Sequence, residues 1–172
     1  MSGGHCPSRT DRPTEAERLG GVLNLRRATP ADAPRMTQIA RAAYAPYVER
    51  MGGRRPAPMD ADYEETTSRA DAWVVETEGA VIGLLVLVGQ SDGMLLDNVA
   101  VLPSHQGLGA GRALLTWAED RARAEGYARI RLYTNEAMLE SQALYRRIGY
   151  VETHRAHDQG FARVYFEKPL PG

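Results

Sequence analysis

The chain has 172 residues, of which 43% are hydrophobic and 25% are charged, and its formal net charge is -1. This composition predicts one folded domain and excludes an overall electrostatic attraction to nucleic acid or to an anionic membrane surface. The single cysteine, Cys6, has no second cysteine for an internal disulfide, and no Cys/His cluster in the sequence has zinc-site spacing. We therefore expect a cytoplasmic protein with no bound metal, no membrane anchor and no nucleic-acid partner.

The first segment, 1–21, is rich in glycine, proline, hydroxyl and charged residues, which predicts a disordered tail. Apolar and polar residues then alternate over 23–26, which predicts a short strand. Turn and cap residues at 29–32 predict the start of a helix, whose apolar stripe begins at Met36. Over 45–62 we expect a loop with helical pieces, because prolines and glycines interrupt the pattern.

Three strand-like runs follow, at 73–75, 81–88 and 94–101, and they are separated by the turn signals Glu78-Gly79 and Asp92-Gly93. Such short connections predict an antiparallel meander. The middle run, VIGLLVLV, is apolar at almost every position, as is typical of a central strand that is covered on both faces.

The second half of the chain alternates helices with strands. Apolar periodicity predicts helices over 109–125 and 138–148, each followed at once by a glycine that ends it. Alternating patterns predict strands over 129–134, 150–155 and 161–167. Because strand–helix–strand crossovers are right-handed and parallel, the first of these strands and the run 94–101 are predicted to be parallel in one sheet.

The most informative stretch is the turn before the first of these helices, where Gly107, Gly109 and Gly111 alternate. Glycine lets the backbone bend tightly, so that successive amides at a helix start converge on one anion such as a phosphate or pyrophosphate. A P-loop is excluded, because the lysine and the hydroxyl residue that must follow its last glycine are missing. A dinucleotide fingerprint is excluded too, because its third glycine would fall on Arg112 or Leu114.

This turn resembles the coenzyme A motif of the GNAT N-acetyltransferase superfamily, Q/R-x-x-G-x-G/A, with Gln106, Gly109 and Gly111 at the motif positions. The run ALYRRIGY at 143–150 is similar to a later helix of that superfamily, and the order of elements agrees over 23–168. The resemblance implies an α/β (α+β) GNAT fold in a single domain over 22–170. That fold has a mixed central sheet of about seven strands, flanked by about four helices, with a bulge and a splayed parallel strand pair.

The resemblance implies an enzyme that transfers an acetyl group from acetyl-coenzyme A to a primary amine of a small molecule, by direct attack on the thioester. The cofactor contacts carry over mostly as backbone groups, with the pantetheine arm between the splayed strands and the pyrophosphate on the glycine turn. They fall on Val99, Ala100, Val101, Gln106, Gly107, Leu108, Gly109, Ala110, Gly111, Arg112, Asn135 and Tyr145.

Two side chains are candidates for catalysis. Tyr145 matches the tyrosine that protonates the coenzyme A sulfur in many members of the superfamily, although a packing role also fits its position. Asp97 is the best candidate for a base that acts through water, and binding of the substrate ammonium or pairing with an arginine is an equal alternative. The family form N-x-x-A-x-x-L-Y would place Asn at 138 and Ala at 141, where this chain has Met138 and Ser141. Asn135 is expected to take the role of the missing asparagine.

In this superfamily the acceptor pocket is built largely from the first helices and their loop. The resemblance therefore implies substrate contacts from Tyr44, Tyr47, Met59 and Tyr63. Asn98, beside Asp97, is a further candidate for the substrate site, where its amide could orient the carbonyl, the cofactor amide or water. Aromatic walls suit an amine with an apolar body. The basic residues near the last hairpin, Arg155, His157 and Arg163, equally favour a carboxylate-bearing substrate.

Two other functions are compatible with the same fold. One is a regulatory module that binds acyl-coenzyme A without turnover, and the other is a protein or peptide N-acetyltransferase. A homodimer through the sheet edges or the last hairpin is also compatible with the superfamily. The sequence does not specify the acceptor or the preferred acyl chain.

Overall fold

An eight-stranded mixed sheet with helices on both faces forms the part of the chain that the computed structural model describes, namely Arg18, Leu19 and residues 23–172. The strands are β1 (Arg18–Leu19), β2 (Leu23–Arg27), β3 (Asp71–Thr77), β4 (Ala80–Gln90), β5 (Gly93–Val101), β6 (Arg129–Asn135), β7 (Val151–Asp158) and β8 (Phe161–Pro169). The helices are α1 (Ala33–Arg50), α2 (Tyr63–Arg69), α3 (Ala110–Ala124) and α4 (Leu139–Arg147).

The strand order across the sheet is β1-β2-β3-β4-β5-β6-β8-β7. All neighbours are antiparallel except β5 and β6, which are parallel and are connected through α3. The predicted meander of β3, β4 and β5 and the predicted parallel crossover are therefore confirmed. The predicted strands correspond to β2 through β8, and β1 is an additional strand of two residues.

The predicted disordered tail, 1–21, lies outside the described residues except for Arg18 and Leu19. The backbone of these two residues pairs antiparallel with β2. The extent of the single domain, 22–170, stays a prediction.

β4 is buried on both faces and separates two hydrophobic cores, as the apolar run predicted. Leu85 and Leu87 belong to the core that contains α3, whereas Leu84 and Val86 belong to the core that contains α1 and α2. None of the four is more than 2% exposed. Full burial of such a side chain contributes about 1.5 to 3 kcal/mol, so β4 contributes to the packing of both layers of helices.

α1 continues to Arg50, so the prediction of a loop is wrong for 45–50. Pro46 lies inside the helix, where it removes one backbone hydrogen bond and crowds the preceding turn. Two residues before this proline, a tertiary contact holds the inner face of the helix to the sheet: the Tyr44 hydroxyl donates to Asn98 on β5 at 2.8 Å. The loop with helical pieces that follows is confirmed in part, since Ala57–Met59 forms a 3-10 turn.

Lys168 on β8 ties together three elements on the other face of the sheet. Its ammonium donates to a carboxylate oxygen of Glu119 on α3 at 2.9 Å, and to the carbonyl of Ile148, just after α4, also at 2.9 Å. The carboxylate of Glu119 is largely buried, so this pair is screened less than a surface pair. This ammonium therefore links the end of α4 to α3 and to the sheet.

The start of α1 is held to β2 by charge-assisted hydrogen bonds. Arg26 donates from Nη1 and Nη2 to the two carboxylate oxygens of Asp32, at 2.8 Å each, and from Nε to Glu76 at 2.8 Å. Asp32 also accepts from the backbone amide of Thr29 at 2.8 Å, which completes the predicted cap. The Arg26 guanidinium lowers the pKa of Asp32 from 3.8 to about 2.

We predict that Asp32→Asn lowers the free energy of unfolding by about 1 to 3 kcal/mol, because it weakens the charge-assisted hydrogen bonds at the start of α1. The folded-state pKa of Asp32 is lowered, so this stability is present above the unfolded value of 3.8 and is lost as the pH falls toward about 2. Urea titrations of both proteins at several pH values measure it. The difference between the two proteins should shrink through that window, and a pH-independent difference would contradict the assignment.

Candidate active site

β5 carries a bulge at Asp97. Val86 of β4 faces Asn98, and the next β4 residue, Leu87, faces Leu96, so Asp97 is an extra residue without a partner on β4. A bulge of this kind increases the local twist and bends the strand that carries it. The bulge that the resemblance implied is therefore present, and the predicted base occupies it.

Beyond the bulge, β5 separates from its parallel neighbour β6. The two strands pair at three consecutive positions, from Met94 with Ile130 to Leu96 with Leu132, and at no later position of the described strands. The backbone groups of 97–101 that would face β6 therefore have no ladder partner there. This confirms the predicted splayed pair and leaves an open gap between the strands.

A pocket with a volume of about 350 Å³ lies in this gap. Its base is formed by the diverging ends of β5 and β6. One wall comes from α1 and the segment that follows it, and another wall comes from α4 and the hairpin of β7 and β8. Of the predicted site residues, the pocket brings together Tyr44, Tyr47, Tyr63, Asp97, Asn98, Val99, Ala100, Val101, Gln106, Asn135 and Tyr145.

The other predicted cofactor residues, 107–112, lie in the turn that leads into α3. Gly107 and Gly109 are left-handed, with φ of +86° and +84°. In the described part of the chain, the backbone amides from Gly107 to Arg112 donate to no backbone carbonyl, and the ladder of α3 begins with Ala113 N–H bonded to the Gly109 carbonyl at 3.0 Å. Unpaired amides at the positive end of a helix dipole are suited to binding a phosphate or pyrophosphate.

Gln106 connects this turn to the pocket. Its side-chain amide donates to the carbonyl of Val101, at the end of β5, at 3.3 Å. A carbonyl oxygen has two lone pairs, so this contact leaves one for a further donor in the gap. Gln106 thus links the turn to the end of β5, where the backbone has no ladder partner on β6.

Tyr145 reaches the pocket from α4. Its ring packs in the core, with centroids 5.8 Å from Tyr150 and 5.9 Å from Phe166, and the residue is 9% exposed. Its hydroxyl makes no hydrogen bond within the described residues and is not fully enclosed, because the enclosed unpartnered groups are Trp117 Nε1 and the Tyr150 hydroxyl. Burial raises the pKa of Tyr145 to about 12. The Tyr145 ring therefore has a packing role, and its hydroxyl lies at the pocket without a hydrogen-bond partner in the described chain.

The Asp97 carboxylate lines the pocket and is exposed to it. The surrounding protein limits hydration of the carboxyl group and raises its pKa above 3.8, although the Tyr133 hydroxyl, 3.5 Å away, and the charge of Arg163 oppose this. Arg163 forms its ion pair with Asp158, at 2.7 Å, and not with Asp97. Among the described residues, Asp97 therefore does not form an ion pair with an arginine.

Three residues form a hydrogen-bonded row along the wall of α1 and α2. Tyr44 donates to Asn98 Oδ1 at 2.8 Å, and Asn98 Nδ2 donates to the Tyr63 hydroxyl at 2.9 Å. Tyr63 in turn donates to the carbonyl of Pro58 at 2.7 Å. Both ends of the Asn98 amide are thus bonded to protein, so Asn98 fixes the wall, and the aromatic rings beside it form the surface that an acceptor would meet.

Asn135 shapes the turn between β6 and α4. Its side-chain oxygen accepts the backbone amide of Ala137 at 2.9 Å. Gln142 reinforces the turn by donating to the carbonyl of Glu136 at 2.9 Å. Asn135 therefore lies at the pocket, as predicted, but its oxygen is engaged within the chain.

Three residues that the sequence associated with the acceptor lie outside the pocket. Met59 is 4% exposed, because its 3-10 turn packs against α1 and directs this side chain inward. Met59 is therefore not among the residues that line the pocket, whereas its neighbour Pro58 is, and a substrate contact from Met59 stays a prediction. Arg155 pairs with Glu152 at 2.7 Å, and His157 is exposed. Arg163 is the basic residue of this group that lines the pocket.

Sequence reasoning missed Tyr133 and Phe161, which line the pocket from β6 and β8. A partial signal existed for Tyr133, because the sequence predicted its strand to be parallel to the strand of Asp97. The register, in which Leu96 pairs with Leu132 and the next residue on β6 lies beside Asp97, came only from the structure. No comparable signal existed for Phe161, whose position depends on the pairing of β8 with β6.

We predict that Gly109→Ala lowers the free energy of unfolding by about 1 to 2 kcal/mol, because a side chain is disfavoured in the left-handed conformation. A Cβ at Gly109 would meet no atom within 4 Å, so conformational strain is the expected cost. Chemical denaturation measures the change. The matched control is Gly111→Ala, inside the first turn of α3, where alanine should be neutral or stabilising. Equal losses in both variants would contradict this account of the turn.

The described residues contain no helix that is long and apolar enough to cross a membrane. They also contain no group of three or more His, Cys, Asp and Glu side chains that could hold a metal ion. The cytoplasmic location and the homodimer stay predictions.

The chain matches the family model described as Acetyltransferase (GNAT) family over residues 34–150. It is 32% identical over 134 residues to the uncharacterized N-acetyltransferase YjgM of Escherichia coli (strain K12), and this alignment covers 73% of the chain and 80% of that protein.

Solved structures resemble the chain over most of its length. The PaiA N-acetyltransferase of Thermoplasma acidophilum in complex with coenzyme A has a TM-score of 0.72 at 15% identity, covering 86% of this chain and 98% of that one. The ribosomal-protein-S18-alanine N-acetyltransferase of Escherichia coli has a TM-score of 0.71 at 19% identity, covering 87% of this chain and 95% of that one. At these identities the likeness shows the fold.

Proposed function

Since the chain belongs to the acetyltransferase (GNAT) family, we propose that it transfers the acetyl group of acetyl-coenzyme A to a primary amine of a small molecule. The observation that carries this proposal is the open gap between β5 and β6 beside the unpaired amides of 107–112. Acetyl-coenzyme A supplies a thioester whose carbonyl carbon the amine attacks and whose carbon–sulfur bond breaks. The residues of the chain bind and orient acetyl-coenzyme A and the amine, and they assist the proton transfers.

The two halves of the site suit the two ends of this co-substrate. The backbone groups of Val99 and Val101 that have no ladder partner on β6 suit an amide-containing arm, which can bond to them as an added strand would. Their carbonyls each accept one side-chain hydrogen bond, from Tyr44 at 3.1 Å and from Gln106 at 3.3 Å, and each keeps a second lone pair. The amides of 107–112 suit a pyrophosphate. Arg112 adds a positive charge, since it is exposed in the first turn of α3 and has no ion-pair partner in the part of the chain described.

Contacts that bridge the pocket favour a small acceptor. Arg50 on α1 pairs with Glu140 on α4 at 2.8 Å. Arg54 donates to the carbonyl of Gly160 in the β7–β8 hairpin and lies over the Phe161 ring, 4.6 Å from its centroid. A long peptide would have to displace these contacts, whereas a small amine would not.

Tyr145 is assigned to stabilise the departing thiolate. With a pKa of about 12, its phenol stays protonated at neutral pH. A thiol has a pKa of about 8.5, so complete proton transfer from this phenol to a thiolate is uphill. The favoured contribution is a hydrogen bond that Tyr145 donates to the developing negative charge.

Replacing Tyr145 by Phe should lower kcat roughly 10- to 1,000-fold, because the hydroxyl is lost while the ring packing is kept. Steady-state kinetics measure this, and calorimetry should show that acetyl-coenzyme A still binds. Tyr150→Phe is the matched control, because its hydroxyl is enclosed without a partner and it does not line the pocket. An equal loss in both variants, or an unchanged kcat in the first, would remove Tyr145 from the mechanism.

Asp97 is assigned to take up the amine proton through a water molecule. A carboxylate is a far weaker base than an amine, so attack requires the neutral amine, and the carboxylate acts by orienting the water and attracting positive charge. Its place on the bulge puts it at the point where β5 and β6 separate. Both the base and the ammonium-binding interpretations place it against the acceptor nitrogen.

We expect Asp97→Asn to lower kcat/KM for the amine roughly 100-fold, because the variant keeps the side-chain size and loses the charge. A loss in kcat indicates proton transfer, and a rise in KM alone indicates ammonium binding. Asp92→Asn is the control, since Asp92 is an acid that pairs with Arg131 and does not line the pocket. Unchanged kinetics in the Asp97 variant would exclude both roles.

The proposed function is tested by thiol release from acetyl-coenzyme A over a panel of small amines, with calorimetry for binding. Release with small amines supports the proposal. Binding without release from any amine, peptide or protein supports the regulatory module, and release only with peptides or proteins supports the other alternative. Failure to bind any acyl-coenzyme A would contradict all three.

A further inference from the structure

Two of the described residues that line the pocket carry a formal charge, and their signs are opposite. They are Asp97 on β5 and Arg163 on β8. The rest of the lining is apolar, aromatic or neutral. An acceptor in this pocket therefore meets one anion and one cation, whereas a diamine would need a second anion and would be repelled by Arg163.

The guanidinium of Arg163 is buried and short of acceptors. The residue is 8% exposed, and within the described chain it donates one hydrogen bond, from Nη1 to Asp158 Oδ2 at 2.7 Å. Among the described residues its Nε and Nη2 have no acceptor, and neither atom is fully enclosed. Because Arg163 lines the pocket, these N–H groups are available to an anion that enters it.

Tyr133 links the two charges. The Arg163 guanidinium carbon lies 4.3 Å from the centroid of its ring, and its hydroxyl is 3.5 Å from Asp97 Oδ1. Asp97 and Arg163 are thus separated by a single tyrosine side chain. A molecule whose amine and carboxylate are only a few bonds apart can reach both.

We propose that the acceptor is an amino acid with an apolar side chain, whose amino group faces Asp97 and whose carboxylate binds Arg163. This inference rests on the proposed acetyltransferase function. The apolar side chain has Tyr44, Tyr47 and Phe161 as its surroundings, which would exclude a strongly hydrated group.

Asp158 sets the strength of this carboxylate site. It neutralises Arg163 through one nitrogen and its side chain is 50% exposed, so it stays hydrated when an acceptor binds. Its negative charge repels a second carboxylate on the same guanidinium. Asp158→Asn should therefore strengthen acceptor binding, because it removes the charge and keeps a side-chain oxygen that can accept from Arg163.

The test compares matched pairs that differ by the carboxylate: phenylalanine with 2-phenylethylamine, and leucine with 3-methylbutylamine. The kcat/KM values are referred to the neutral amine, because the two members of a pair ionise differently. We expect the amino acid to be preferred about 10- to 100-fold, as for a hydrogen-bonded charge. Arg163→Gln should abolish the preference by raising KM for the amino acid alone, and Asp158→Asn should increase it.

Binding of N-acetylphenylalanine, measured by calorimetry against N-acetyl-2-phenylethylamine, gives a readout independent of turnover and should show the same preference. If the Gln variant does not fold, the wild-type pairs and the Asp158 variant still decide the matter. Turnover of the amines without a preference for the carboxylate would overturn this inference alone. Absence of thiol release from every amine would contradict the proposed function and this inference with it.

Discussion

The structure depends on one extra residue in β5. Before Asp97 the parallel strands β5 and β6 are paired, and Leu96 and Leu132 are buried. After it the strands separate, and a row of backbone groups is left without ladder partners on β6. Buried peptide groups cannot stay unpaired at no cost, so such a row is retained where water or a ligand completes it. A single insertion in the register thus opens the gap, supplies backbone donors and acceptors to it, and presents a carboxylate at its mouth.

The gap keeps its shape because its walls are fixed from outside it. β4, immobilised between the two cores, holds β5 on the side opposite to the opening. The tyrosine–asparagine–tyrosine row fastens α1 and α2 to β5, and the ammonium of Lys168 fastens the end of α4 to α3 and β8. The pocket is therefore largely preformed, which reduces the ordering cost of binding.

Most elements could be predicted from the sequence, because turns such as Glu78-Gly79 and stops such as Gly126 depend on adjacent residues alone. α1 could not be followed past Pro46, because the hydrogen bond of Tyr44 to Asn98 joins segments far apart in the chain. The bulge came only from the family resemblance, since one extra residue leaves no mark in the apolar pattern around Asp97. The burial of the Met59 side chain depends on tertiary packing, and so do the N–H groups of Arg163 that are left without an acceptor in the described chain. Neither could be predicted from the sequence.

The contacts of Lys168 bear on whether an acetyltransferase would acylate its own side chains. A protein that concentrates an activated acyl donor at its surface exposes its own amines to acylation. Lys168 is the single lysine of the chain, and its nitrogen is held between Glu119 and the Ile148 carbonyl. The other cationic side chains are arginines, whose guanidinium groups are poor nucleophiles because they stay protonated. The side chains that carry positive charge are therefore almost all groups that react poorly with thioesters.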